Sequence, residues 1–209
     1  MVLRLFYQLF TIFVVHESHV FPACFVLMTR KTKVLYKAVF EHITMLVPNF
    51  APENVMADYE DASVHALQEV FDNGLIVKGC WFHFSNFVIK RVRSVGLTDG
   101  FRNDAIVHKC IKALTCLPLL PHDQIVATLD LLCQYATDVP AQYKDTIEGI
   151  FRYTKRRWID CNSVGTERLS VFGCSERTNN SAESLHSRFR CRVQVTHPNI
   201  LIFCVICVM

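Results

Sequence analysis

The sequence predicts an α/β protein in which helices flank a mixed sheet, and three observations carry that prediction. Two apolar, β-rich runs at residues 5–15 and 20–28 come first, separated by a polar turn. From residue 32 the apolar residues recur at helical spacing instead. Short apolar segments at residues 54–57 and 75–81 then alternate with helical stripes. This alternation is typical of helices that return the chain between parallel strands.

The first two runs predict an antiparallel hairpin, because only the four polar residues 16–19 separate them. Arg4 and the apolar run after it also imitate a secretory signal. The run contains Tyr7, Gln8 and Thr11 and leads directly into the second strand-like run, which favours a buried strand. Neither this run nor residues 203–209 reaches the about 20 apolar residues of a membrane span, so no membrane partner is expected.

Helical stripes dominate the rest of the chain. The first helices are predicted from three sets of apolar residues: Leu35, Val39, Ile43 and Leu46 before Pro48; Val64, Leu67 and Phe71; and Phe84, Val88 and Val95. From about residue 97 the strand patterns stop. We therefore predict one α/β core formed by residues 1–96 and 161–209, with residues 97–160 as an all-helical insertion before a last helix that begins near Asn180.

Composition limits the class of protein. The chain has 209 residues, 51% of them hydrophobic, which is enough to bury one sizeable core. Glycine and proline are sparse and no low-complexity run occurs, so a disordered chain is not expected. Ten cysteines at irregular spacing do not fit a secreted disulfide framework. Reduced thiols in an intracellular protein are the better interpretation.

The basic residues are clustered, although the net charge of +3 is too small to indicate a nucleic-acid partner by itself. One cluster alone is ordinarily a solvated helix face. Contact with DNA is the alternative. The clusters are Lys90, Arg91 and Arg93; Lys155, Arg156 and Arg157; and Arg177, Arg188, Arg190 and Arg192.

Two acidic residues are candidates for chemistry. Asp58 directly follows the short strand predicted at residues 54–57. This is the carboxyl end of the strand, where ligands of α/β proteins bind. The alternative is that Asp58 or Asp61 caps the helix that follows. Glu183 comes three residues after Asn180, and this spacing also fits a capping box. Local sequence leaves both interpretations open for each acid.

Cys80 and His83 have the spacing of half a zinc site. The other cysteine pair at matching spacing, Cys204 and Cys207, lies inside an apolar terminal run. The sequence therefore does not favour a structural zinc assembled from these two pairs. A buried cysteine beside a hydrogen-bonded histidine is the plain alternative.

Five segments, taken in order, resemble the transposase domain of Mutator-like elements (MULE). The resemblance covers nearly the whole chain, and the last segment and the Cys-x-x-His of the fourth are its most specific parts. The segments are FYQLFT at residues 6–11, FVLMTRKTK at 25–33, MADYE at 56–60, GCWFHF at 79–84 and RTNNSAESLH at 177–186.

This resemblance implies a ribonuclease-H-like fold in which two aspartates and a glutamate hold Mg²⁺, or Mn²⁺, for phosphodiester chemistry. By position, Asp58 matches the second acid and Glu183 the third, so we expect the two carboxylates to lie close enough to share one ion. Asn179 and Asn180 belong to the last motif. Cys80 and His83 match the family's Cys-x-x-His, for which we expect a role in positioning DNA or the active-site strand rather than in binding zinc.

The chain departs from the family pattern at its start. The first acid of the family lies in an Asp-Gly-Thr-Phe-like strand before the segment matched by residues 6–11, whereas no aspartate precedes Asp58 here. We therefore expect an N-terminally truncated core whose DNA cleavage and strand transfer are impaired. The expected partners are transposon ends and target DNA, with self-association into a homo-oligomer, in the nucleus. The alternative is a non-catalytic DNA- or protein-binding module retained from a transposase.

Overall fold

The computed structural model describes residues 6–17, 19–71, 74–178 and 180–193. The strands are β1 (Gln8–His16), β2 (His19–Met28), β3 (Asn54–Ala57) and β4 (Ile76–Gly79). The helices are α1 (Lys33–Leu46), α2 (Asp61–Val70), α3 (Trp81–Ser94), α4 (Thr98–Asn103), α5 (Ala105–Cys116), α6 (Ile125–Tyr135), α7 (Ala141–Thr154), α8 (Gly165–Leu169) and α9 (Asn180–Val193). A π-helical turn, Lys155–Ile159, follows α7.

The chain divides into two compact units. Among the described residues, the first unit contains the β1–β2 hairpin, α1, α2 and α9. The second contains β3, β4 and helices α3 to α8. The mixed α/β class is therefore confirmed. The described strands form two separate two-stranded sheets, one antiparallel and one parallel, where the sequence predicted one mixed sheet.

The hairpin predicted from the first two apolar runs is confirmed. Strand β1 pairs antiparallel with β2 from Gln8 opposite Met28 to His16 opposite His19. The register shifts after Ile12, next to Pro22, which has no N–H to donate to a ladder. On the first helix, Tyr36 and Phe40 contact Phe10 of β1 edge to face, at centroid distances of 5.1 and 6.1 Å.

Helix α1 begins and ends where the sequence predicted. Its N-cap is Thr32, whose Oγ1 accepts a hydrogen bond from the amide of Leu35. The buried face is one position away from the predicted stripe, because Tyr36 and Phe40 are buried while Leu46 is exposed. Aromatic rings bury more apolar area than the aliphatic residues beside them. The helix therefore turns the face that carries Tyr36 and Phe40 towards the core.

The second unit has a helical core built around Trp158. In the stretch predicted to be all-helical, Cys110, Leu114, Leu129 and Ile147 are buried, while Ile106 and Leu132 are half-buried at the margin of the core. The edges of the Phe84 and Phe87 rings meet Trp158, each at a centroid distance of 5.3 Å. Residues 98–160 hold no strand, but the division into a core and an insertion stays a prediction.

One predicted strand was too long. Strand β4 ends at Gly79, Cys80 is the N-cap of α3, and Trp81 is the first helical residue. The apolar run made Trp81 look like part of the strand, but long-range hydrogen bonds hold Trp81 at the start of the helix. Its amide donates to the Arg177 carbonyl at 3.0 Å and its indole N–H to the Thr115 carbonyl at 2.7 Å. Among the helices of the described residues, none has the length and apolar character needed to cross a membrane.

Candidate metal and catalytic site

Asp58 and Cys80 are brought together by the parallel pairing of β3 and β4. Ala57 lies opposite Gly79 in the register, so the next residue of each strand leaves the same edge. The Cys80 amide donates to the Ala57 carbonyl at 3.1 Å, which extends the ladder by one bond. This is the carboxyl end of the strands, where ligands of α/β proteins bind.

His83 joins them through the first turn of α3. The turn is closed by a hydrogen bond of 3.2 Å from the Phe84 amide to the Cys80 carbonyl. Residues three apart in a helix lie on the same face, so His83 faces the same side as Cys80. The Cys-x-x-His spacing is therefore the spacing of one helical turn.

The three side chains form one cluster. One ligand atom from each of Asp58, Cys80 and His83 lies within 4.8 Å of the others. His83 Nδ1 is 3.1 Å from Asp58 Oδ1. Cys80 is buried with 0% exposure. The side chains of His83 and Asp58 are 29% and 51% exposed. The cluster thus combines a buried sulfur with a half-exposed carboxylate.

The strand end that carries Asp58 is held by Arg168 and Tyr59. Arg168 is 7% exposed and donates to the Asp58 carbonyl at 3.0 Å and to the Ser163 carbonyl at 2.7 Å. Its guanidinium lies 5.4 Å from the centroid of the Tyr59 ring. Burial raises the pKa of the Tyr59 hydroxyl well above its ordinary value, so this hydroxyl stays neutral.

Gly79 allows Tyr59 to lie against the strand. A Cβ at Gly79 would collide with the Tyr59 ring and hydroxyl. We expect Gly79→Ala to lower the free energy of unfolding by about 1–3 kcal/mol, because the ring must move in a packed site. The measurement is chemical denaturation. Gly149→Ala is the matched control: Gly149 lies within α7 with open space at its Cβ, so alanine should stabilise that helix by about 0.5–1 kcal/mol. Equal effects of the two changes would contradict this packing.

The capping interpretation of Asp58 and Asp61 is wrong. The N-cap of α2 is Glu60, and its side chain makes no capping hydrogen bond. The Glu60 carboxylate instead accepts from the Tyr36 hydroxyl at 2.7 Å and from Lys31 at 2.9 Å. Asp58 precedes the cap, and Asp61 is the first helical residue.

Glu183 lies in the first turn of α9 and is exposed. Asn180 is the first residue of this helix, and Asn179 lies outside the described residues. The capping-box interpretation therefore stays a prediction. Glu183 belongs to the first unit and Asp58 to the second, and their proximity also stays a prediction.

The predicted DNA-contacting residues differ in their exposure and in their contacts with other side chains. Lys90 and Arg93 are exposed on α3, whereas Arg91 is half-buried with its guanidinium 4.9 Å from the Tyr153 ring centroid. Arg177 is exposed, and Arg188 donates to Ser184 within α9 at 3.2 Å. The side chains of Arg190 and Arg192 lie outside the described residues, as do Cys204 and Cys207.

The donor atoms decide which ions fit. The Asp58 and Glu183 carboxylates are hard oxygen ligands of the type that Mg²⁺ takes. The Cys80 sulfur and the His83 nitrogen are softer donors that Mg²⁺ does not favour. Each acid by itself offers the type of ligand that the expected magnesium takes, whereas the Cys80 and His83 donors suit a softer ion.

The fold and the cluster define an α/β protein with a carboxylate, a thiol and an imidazole at the end of two parallel strands. Residues 3–86 match the family model of the MULE transposase domain. The resemblance found in the sequence is thereby confirmed over this part of the chain. No curated protein and no solved structure matches the chain significantly.

Proposed function

We propose that the chain is the transposase-derived catalytic core of a Mutator-like DNA transposon, with Asp58 and Glu183 as its second and third metal-binding acids. The observation that carries the proposal is the family match, because the matched residues 3–86 include Asp58, Cys80 and His83. The ancestral activity is metal-dependent cleavage and strand transfer of transposon DNA in the nucleus, by a core of ribonuclease-H-like fold.

The described residues support a positioning scheme for Asp58. Arg168 holds its carbonyl, so the main chain at the strand end is fixed. The His83 ring lies beside the carboxylate, with Nδ1 at 3.1 Å from Oδ1. A half-exposed carboxylate at this position can take a metal ion, and the ion could in turn contact a phosphate group. When bound by Asp58 and Glu183, Mg²⁺ would polarise the phosphate and activate the attacking hydroxyl or water.

The 209 residues contain only two of the family's three acids, since no aspartate precedes Asp58. We expect a polypeptide of these 209 residues to leave transposon-end DNA uncut with Mg²⁺ or Mn²⁺, because two carboxylates do not assemble a pair of ions. The measurement is strand cleavage on a denaturing gel. A polypeptide extended by a strand carrying Asp-Gly-Thr-Phe is expected to cleave. Equal cleavage by both proteins would show that the acids are misassigned.

The second candidate is a DNA-binding module without chemistry, and the exposed Lys90 and Arg93 on α3 favour it. Binding through phosphates releases counterions, so the affinity should fall steeply as salt rises and depend little on DNA sequence. Removing one cation that neutralises a phosphate should reduce the slope of log K against log salt by about 0.9. We therefore expect Lys90→Gln with Arg93→Gln to flatten the slope by about 2 if each residue binds one phosphate.

Lys109→Gln, at an exposed site on α5, is the control for this slope and should leave it unchanged. Fluorescence anisotropy of labelled DNA over a range of salt concentrations measures the slope for the double variant and for the control. A binding constant that is insensitive to salt, or a control that flattens the slope as much, would contradict phosphate binding by α3.

A further inference from the structure

We propose that Asp58, Cys80 and His83 form a binding site for a thiophilic divalent cation of the zinc class. The three residues lie in one unit, on two adjacent strand ends and one helical turn. The sequence suggested only half of a site and offered Cys204 and Cys207 as the other half. The structure supplies Asp58 as the third donor instead.

The donor set fits this class of ion by its chemistry. Sulfur, imidazole nitrogen and carboxylate oxygen are the three ligand types that zinc takes in proteins. Three protein ligands with one open position are typical of zinc sites that bind a water or a further ligand. The exposed side of Asp58 leaves room for that fourth ligand.

The distances fit as well. Zinc lies about 2.3 Å from sulfur and about 2.0–2.2 Å from nitrogen or oxygen, so two ligand atoms of one tetrahedral ion are about 3.3–3.7 Å apart. The ligand atoms of the cluster lie within 4.8 Å of one another, and side-chain rotations that move them by about 1 Å close the difference. Asp58 and His83 are half-exposed and can make these rotations, while the buried Cys80 is fixed at the N-cap of α3.

Binding has two chemical consequences. Cys80 binds the ion as the thiolate, and the proton of the thiol passes to solvent. Asp58 is also the acid assigned to magnesium in the proposed function. An ion of the zinc class therefore competes with Mg²⁺ for this carboxylate, although its binding does not depend on DNA cleavage.

Cobalt is the probe, because a thiolate bound to Co²⁺ gives a near-ultraviolet charge-transfer band and tetrahedral Co²⁺ gives intense visible bands. We expect the reduced 209-residue chain to bind one Co²⁺ with both features in excess Mg²⁺, and Zn²⁺ to displace it. Cys80→Ser should abolish the charge-transfer band. Asp58→Asn and His83→Gln should each weaken Co²⁺ binding at least about tenfold.

Cys161→Ser is the matched control. Cys161 lies outside the cluster, and its hydrogen bond with Ser163 lowers the pKa of its thiol, so this variant tests binding of metal by a thiol elsewhere in the chain. This change should leave the cobalt spectrum intact. A band that survives in Cys80→Ser, or one that disappears in Cys161→Ser, would overturn the site. Far-ultraviolet circular dichroism of every variant separates loss of metal from loss of fold. Asp58 is the most exposed of the three ligands, so its replacement by Asn should disturb the fold least.

Discussion

Asn in place of Asp58 should lower DNA cleavage at least about a thousandfold in a polypeptide that carries the upstream Asp-Gly-Thr-Phe strand. A metal-bound carboxylate supports several kcal/mol of transition-state stabilisation, and each 1.36 kcal/mol corresponds to about tenfold in rate. An amide oxygen carries no charge and binds the ion more weakly. Glu183→Gln should have an effect of the same order if Glu183 is the third acid.

Single-turnover cleavage of transposon-end DNA measures this effect, and binding of the same DNA is followed separately. Asp145→Asn and Glu148→Gln are the matched controls, because both acids are exposed on α7. Cleavage should be unchanged in these two variants. Full cleavage activity of Asp58→Asn would refute the catalytic role of Asp58. The cobalt experiment would be unaffected, because it measures metal binding and not cleavage.

Removal of the Arg168 side chain should destabilise the second unit by about 2–4 kcal/mol. Its two hydrogen bonds to the carbonyls of Asp58 and Ser163 are charge-assisted and contribute about 1.5–3 kcal/mol each. The contact with the Tyr59 ring adds about 0.5–2 kcal/mol. Relief of the buried charge in Arg168→Ala offsets part of this sum.

Denaturant unfolding gives the free energy, and hydrogen exchange locates the effect. The Cys80 amide, which donates to the Ala57 carbonyl, should exchange faster in Arg168→Ala because the strand end is released. Arg152→Ala is the control at an exposed site on α7 and should change stability by less than about 0.5 kcal/mol. A destabilisation of similar size in both variants would show that Arg168 does not hold the strand end.

The sequence predicted the elements better than their contacts. Thr32 before an apolar stripe placed the start of α1, and Pro48 placed its end close to Leu46. Asn180 marked the start of α9. The buried face of α1 was predicted one position away from its place, with Leu35, Val39 and Ile43 half-buried. The buried residues are Tyr36 and Phe40, whose rings contact Phe10 of another element. The spacing of apolar residues predicts that a helix has an apolar face. It does not predict which side chain of another element packs against that face.

The candidate site was predicted in parts. Asp58 and the Cys-x-x-His were recognised separately, and Asp58 was left with a capping alternative. The one signal that could have joined them was that both follow short strands of a parallel pair, whose ends meet at one edge. Arg168 gave no such signal, since it lies 110 residues from Asp58 in the chain and its role depends on burial.

By itself, the sequence determined the mixed α/β class, the β1–β2 hairpin, the helical stripes and the resemblance of residues 3–86 to the MULE transposase domain. These follow from local properties, because period, caps and motifs are read within about 10–15 neighbouring residues. The tertiary structure decided that Asp58, Cys80 and His83 share one cluster. It did so through the register of β3 on β4 and the contacts of Trp81 and Arg168, which join residues far apart in the chain.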